Sequence, residues 1–353
     1  RGRQGPRGRA ARGAGRPGGR GGLRGGAARG RAGSGSRPGR GGLAPRAGEN
    51  GLHGGDGDGD DGLMPWFLCE SLPEYSATVN GLLSRRPAEH TILLGAIETL
   101  RAAGPAAFGA IAPLFGWWQE PGGEVSGAFL HTPPFPVALT AVPAPAAGAL
   151  ARALAARDRT VDGVNTDPGA AEAFAGAWHE LTGDATELHM RNRLFRLGAL
   201  RRPDPGPPGQ ARVAGADDRS LLIAWSEAFH REAQSGPENL VAMVDDRLSY
   251  RGLTLWEDAG RPVSMAGLTR MAAGQVRVGP VYTPPGLRGQ GYAGAVTCMV
   301  SQAARDAGAD QVLLFTDLAN PTSNALYQRL GYEPVEDRAI WSFRRSPADG
   351  SAG

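Results

Sequence analysis

The stretch Val281-Tyr282-Thr283-Pro284-Pro285-Gly286-Leu287-Arg288-Gly289-Gln290-Gly291-Tyr292-Ala293-Gly294 decides how the rest of this chain is read. Residues 276–283 are rich in valine and end in tyrosine and threonine, which reads as a strand. Two prolines stop it. Apolar residues at helical spacing then predict a helix over 291–307, with Ala293, Val296, Val300, Ala303 and Ala307 on its buried face and Gly308 as its C-terminal cap. A strand that enters a glycine-rich turn opening a helix aims several backbone N–H groups, and the positive end of the helix, at one spot. Gly289 and Gly291 let the backbone approach an anion without a Cβ in the way. The spacing predicts a pyrophosphate site.

Two cofactors could bring that pyrophosphate. Gly289-Gln290-Gly291-Tyr292-Ala293-Gly294 is literally G-x-G-x-x-G, and Asp317 ends the next strand 23 residues after Gly294. That is the pattern of an NAD(P)-binding oxidoreductase. Against it, Pro284 to Arg288 separate the strand from the glycines, and only one helix, one strand and a short tail follow. Arg288-Gly289-Gln290-Gly291-Tyr292-Ala293 also fits Arg/Gln-x-x-Gly-x-Gly/Ala.

That pattern, with Asn320-Pro321-Thr322-Ser323-Asn324-Ala325-Leu326-Tyr327-Gln328-Arg329-Leu330-Gly331-Tyr332 after it, resembles the GNAT superfamily of acyl-CoA-dependent N-acetyltransferases. The resemblance spans roughly 217–343, strongest over 276–332, and is to the actinobacterial type with an extra N-terminal domain. It implies acetyl-CoA as co-substrate and no metal. It implies that main-chain groups of Val281, Tyr282 and Thr283 hold the pantetheine arm together with Asn320, and that Arg288, Gly289, Gln290, Gly291, Tyr292, Ala293 and Gly294 hold the diphosphate. Tyr327 is the implied proton donor to the departing thiolate, and the N–H of Val281 the implied oxyanion donor. The implied acceptor is a small-molecule or peptide amine. Glu227, His230, Glu232 and Glu257 are candidate bases by location only, each more simply read as a solvated surface residue. A non-catalytic module that binds acetyl-CoA is the remaining alternative.

The expected fold class is α/β with a mixed sheet, GNAT-like in the C-terminal half and preceded by an N-terminal α/β domain that reads as a degenerate copy. Helices are expected over 72–86, 88–103, 144–156, 170–181, 217–232, 238–246 and 323–330. Strands are expected over 115–120, 125–132, 137–142, 188–200, 253–257, 263–271, 276–283, 311–317 and 338–343. The proline-rich run 201–210 is a linker between domains at 64–200 and 211–345. One weak repeat, 127–134 against 279–285, is either the trace of that copy or chance.

All 38 basic residues among the 353 are arginine. The absence of lysine excludes a lysine Schiff base and a phosphate-loop lysine. Hydrophobic residues make up 41%, enough for ordinary cores. The net charge of +3 hides an asymmetry: residues 1–50 hold 13 arginines and one acid, Glu49. Residues 1–62 are low-complexity and expected to be disordered, either a mistaken upstream start or an arginine–glycine tail, the one case in which nucleic acid would be a partner. Without that segment 25 basic and 30 acidic residues remain. Cys69 and Cys298 form no CxxC pair, the six histidines no metal-ligand spacing, and no apolar run reaches a membrane span. These features point to the cytoplasm. Trp117-Trp118, near Phe115, reads as core packing or a pocket wall. Oligomeric state is not legible.

Overall fold

The computed structural model describes residues 66–345 except 158 and 234–239, so the segment 1–62 lies outside the described residues. The chain runs β1 (Trp66–Cys69), α1 (Leu72–Arg85), α2 (Thr91–Ala103), β2 (Leu114–Gln119), β3 (Val125–His131), β4 (Val137–Leu139), α3 (Ala144–Ala155), β5 (Gly163–Thr166), α4 (Pro168–Thr182) and β6 (Ala185–Leu197). The same order then repeats as β7 (Gln210–Val213), α5 (Arg219–Glu232), α6 (Leu240–Ser249), β8 (Leu253–Asp258), β9 (Arg261–Leu268), β10 (Gln275–Tyr282), α7 (Tyr292–Asp306), β11 (Gln311–Asp317), α8 (Pro321–Arg329) and β12 (Tyr332–Arg344).

One twelve-stranded sheet carries both repeats in the order β1-β2-β3-β4-β5-β12-β6-β11-β10-β9-β8-β7. Replacing each strand by its counterpart six places on reverses this order onto itself. Two copies of one fold therefore meet about a pseudo-twofold axis between β12 and β6. Each copy lends its last strand to the other: β12 pairs with β5 and β6, and β6 pairs with β12 and β11. The expected mixed sheet and the N-terminal copy are both present. The weak sequence repeat does not mark the duplication, because Gly127 lies in β3, the counterpart of β9, whereas Gly279 lies in β10.

Local chemistry sets the elements. Ser71, Asp167 and Asn320 cap α1, α4 and α8 by accepting from first-turn N–H groups, each with a proline at the start of the helix. Helices α3, α4, α7 and α8 pack on one face of the sheet through alanine, valine, leucine and aromatic side chains. Helices α1, α2, α5 and α6 cover the other. The pair Trp66–Trp118 (5.7 Å) belongs to the N-terminal core and Trp117 stacks on Phe67 (5.8 Å), so the tryptophans serve packing of β1 on β2.

Three differences from expectation have physical reasons. Strands β1, β5 and β7 are four residues each, too short for alternation to register. Strand β12 starts at Tyr332 rather than 338; Pro334 and the acids around it read as a break, but the chain passes them with a register shift between Pro334 and Glu336. The buried face of α7 carries Tyr292, Val296 and Val300 with Ala295 and Ala304, while Ala303 and Ala307 are exposed. Gly308 follows α7 at φ 88°, as its expected capping role requires.

Candidate active site

Strands β10 and β11 run parallel only from Gln275↔Gln311 to Val278↔Leu314. Beyond that point β10 continues to Tyr282 and β11 to Asp317 without pairing. The strands part, opening a slot through the sheet whose β10 wall has main-chain groups with no strand beside them. On its other side β10 keeps β9, with a register shift between Val278 and Val281. Such a wall offers N–H and C=O groups to an extended, amide-bearing arm.

The slot leads into the glycine turn. A short 3-10 turn, Pro285–Leu287, turns the chain, and Gly289 and Gly291 follow at φ 79° and 85°, the left-handed region that favours glycine. Gly291 caps α7 with no side chain of its own to fill the cap. The N–H groups of Tyr292, Ala293 and Gly294 consequently have no acceptor inside the helix; the first internal bond runs from Ala295 to the Gly291 carbonyl at 3.0 Å. With the helix dipole behind them, these donors make an anion site.

The neighbours fix that geometry. Arg288 Nε donates to the Thr283 carbonyl at 2.9 Å, and its Nη2 to both Glu232 oxygens at 2.8 and 2.7 Å. Arg288 thus ties the turn to α5 instead of presenting a free cation. The Thr283 hydroxyl shares a 2.8 Å hydrogen bond with Ser264, and the Tyr282 ring leans on Trp225 at 6.1 Å. Val281 is half-buried on the α7 side, Ala293 is half-buried, and Gln290 is exposed. Tyr292 donates from its hydroxyl to Asp258 at 2.7 Å, anchoring the first turn of α7. A Cβ on Gly294 would stand 3.1 Å from Leu326, so that glycine sets the approach of α7 to α8.

Asn320 and Tyr327 come together on α8. Asn320 Oδ1 accepts from Ser323 N at 3.0 Å, so its carbonyl caps the helix. Tyr327 is 8% exposed, edge-on to Tyr332 at 6.0 Å. Burial pushes its phenol up to about 12, so it stays protonated at neutral pH and holds a proton to give.

Of the candidate bases, Glu232 is held by Arg288 and Glu257 by Arg212 at 2.7 Å. Arg212 also grips Asp218 at 2.6 Å, so Glu257 belongs to a structural network rather than a solvated surface. Glu227 is exposed, and the His230 ring packs edge-on to Phe229 at 5.2 Å. No base is singled out.

Two contributors escaped the sequence reading. Asn324 Nδ2 donates to the carbonyls of Asp317 and Asn320, both at 2.8 Å, stitching the end of β11 to α8. Its place one turn after Asn320 was the available signal. The segment 201–210 lies along the glycine turn: Pro207 is 3.7 Å from where a Cβ on Gly291 would stand, and Pro203 is 3.9 Å from that of Gly294. Composition marked it only as a connection.

The N-terminal copy has no such turn. Four residues, 140–143, join β4 to α3, against nine, 283–291, between β10 and α7. Pro143 caps α3 and Pro145 follows in its first turn, so one of the first-turn donors that α7 offers has no counterpart here.

The family model for the Acetyltransferase (GNAT) family matches residues 219–332. This segment belongs to the GNAT superfamily. At the level of fold the likeness extends further. A GCN5-related N-acetyltransferase from Sphaerobacter thermophilus superposes with a TM-score of 0.53 at 18% identity, over 82% of this chain and 98% of its own. A Drosophila protein solved as a structural-genomics target gives 0.60 at 10% identity, over 80% and 100%. No curated protein matches the sequence. The sheet also argues against the dinucleotide reading: beside the glycine turn parallel pairing is confined to β10–β11, and β10–β9, β11–β6, β7–β8 and β8–β9 are antiparallel. Among the described residues no helix is long and apolar enough to cross a membrane, and no group of His, Cys, Asp or Glu is placed to hold a metal.

Proposed function

We propose that this chain is an N-acetyltransferase that moves an acetyl group from acetyl-CoA to a primary amine by direct attack in a ternary complex. The observation that carries the reading is the parting of β10 from β11 just before the Gly289–Gly291 turn. The pantetheine arm lies along 281–283 and reaches Asn320, with the diphosphate over the first turn of α7. The amine nitrogen adds to the thioester carbonyl, with the N–H of Val281 facing the oxyanion. The C–S bond breaks, the thiolate takes its proton from Tyr327, and the proton shed by the amine nitrogen passes to solvent, from which the phenol is reprotonated. Rate comes chiefly from holding amine and thioester together in a dry slot and from donors already aimed at the oxyanion.

The two repeats, 64–200 and 211–345, act as an accessory and a catalytic domain joined by 201–210, and the protein works in the cytoplasm. Calorimetry with acetyl-CoA and with NAD, alongside thiol release over an amine panel, tests the proposal. Heat with NAD and none with acetyl-CoA overturns it. Acetyl-CoA binding without thiol release for any amine replaces it with a non-catalytic acetyl-CoA-binding module.

A further inference from the structure

Arg277 is the anomaly of the described structure. It sits in β10 between Val276 and Val278, which pack toward α7, so its side chain leaves the opposite face of the sheet. Its Nη1 is buried and has no hydrogen-bond partner. Among the described residues no carboxylate pairs with it; its charged neighbours are Arg247 and Arg338, with only the Tyr250 phenol opposing them. Arg338 spends its own donors on Asn165, on the Leu139 carbonyl and on Glu336. A guanidinium does not lose its proton in a protein, so one whose Nη1 is shut from solvent without a counter-charge is costly until an anion arrives.

Three further observations give the spot the character of a site. Gln275, two residues before Arg277 and on the same face of β10, has a buried Oε1 with no donor, and Arg247 Nε is buried without an acceptor. Two cationic donors, from Arg277 and its charged neighbour Arg247, and the carbonyl of Gln275 thus lack partners. Above the guanidinium, α2 carries a glycine in mid-helix, Gly95; a Cβ there would stand 3.4 Å from Arg277 Nη2. Glycine in a helix interior costs about 1 kcal/mol relative to alanine, and here it lets α2 lie directly on the guanidinium, so that the helix closes this side of the site. Finally, Arg277 comes only two residues before Gly279, where the register shift and the slot begin, a rise of roughly 7 Å. The diphosphate site lies at α7, on one face. A thioester passing through the slot therefore meets its acceptor on the other face, where Arg277 stands.

We propose that Arg277 receives a carboxylate carried by the amine acceptor, so that the substrates are amino acids or short peptides rather than polyamines or neutral amines. This rests on the N-acetyltransferase reading and narrows it. The carboxylate takes Arg277 Nη1 and Arg247 Nε, and an N–H or O–H of the acceptor donates to Gln275 Oε1. The amine then points along β10 into the slot. The N-terminal copy, through α2, forms the roof of the acceptor site, which gives a repeat without a donor turn a part in catalysis.

The full-length protein is assayed with 5-aminopentanoate, 5-amino-1-pentanol and 4-aminobutylphosphonate. Turnover of the carboxylate at least tenfold better in kcat/KM than the alcohol supports the proposal; equal values overturn it, and a preference for the phosphonate over the carboxylate overturns the choice of anion. Arg277→Gln is expected to erase the preference through KM, leaving the alcohol's kcat and the acetyl-CoA Kd unmoved; an equal loss for carboxylate and alcohol overturns the specificity role. Should Arg277→Gln fail to fold, the wild-type panel decides alone. Should no amine be turned over, the thermal shift with glutarate decides: saturable stabilisation absent with 1,5-pentanediol and with sodium chloride supports the carboxylate site, and an equal effect of chloride overturns it. Failure to bind acetyl-CoA sinks the transferase reading itself and leaves this last measurement valid.

Discussion

Replacing Tyr327 by phenylalanine separates the chemistry of the site from its architecture. Among the described residues the hydroxyl has no hydrogen-bond partner, so its loss strands none of them. The ring keeps its edge-on contact with Tyr332 at 6.0 Å. Stability at pH 7 should therefore stay within about 0.5–1 kcal/mol of wild type. Catalysis should not: a positioned general acid contributes about a hundredfold or more, close to 3 kcal/mol of barrier. The acetyl-CoA Kd should be unchanged, because in the proposed mechanism the phenol serves the departing sulfur and not the diphosphate.

Alkaline pH supplies an internal control. The phenol titrates near 10 when free and at about 12 in the fold, with burial as the cause. A group raised in the folded state contributes fully below its free value and loses that contribution as pH climbs toward the folded one. Between pH 10 and 12 the unfolded chain ionises Tyr327 and the native chain does not, which withdraws up to about 3 kcal/mol. Tyr327→Phe should remove that withdrawal and unfold less readily than wild type above pH 10. Urea titrations at pH 8 and 11, with single-turnover thiol release at pH 7.5, read both effects. A variant with normal acetyl-CoA affinity and kcat within threefold of wild type would refute the proton-donor role.

Further outcomes follow from the same structure. Gly291→Ala places a Cβ at φ 85°, so it should cost roughly 1–2 kcal/mol of stability and raise the acetyl-CoA Kd at least about tenfold by calorimetry; an unchanged Kd would remove the turn from the binding site. Acetyl-CoA should titrate to one molecule per chain, since the connection at 140–143 lacks a donor turn, and a second site of similar affinity would contradict this. Arg338→Met strands Glu336 and two carbonyls beneath a side chain that is 3% exposed, so about 3–5 kcal/mol should disappear in a urea titration; less than 1 would show the cluster is not structural.

Much of this was readable in the residues because the decisive signals are local. Prolines 284 and 285, glycines 289 and 291 and the periodicity of α7 act within a few residues of one another, and they fix strand, turn and helix in order. Tyr327 and Asn320 share one capped helix, so their pairing also follows from spacing. What escaped depends on distant partners. Strand β5 has four residues and takes its place from β12, some 170 positions later. The placement of Pro203 and Pro207 on the glycine turn is a tertiary contact that composition does not encode. Arg277 looks like any arginine alternating along a strand until the absence of a counter-charge is seen in three dimensions.

The exchange of final strands has a consequence for synthesis. Strand β5 needs β12, and β12 ends at Arg344. While the ribosome is still making the second repeat, the first must wait with the β5 edge bare, a ready template for pairing with a neighbouring nascent chain. Truncation anywhere before the last strand should thus cripple the beginning of the protein as surely as its end.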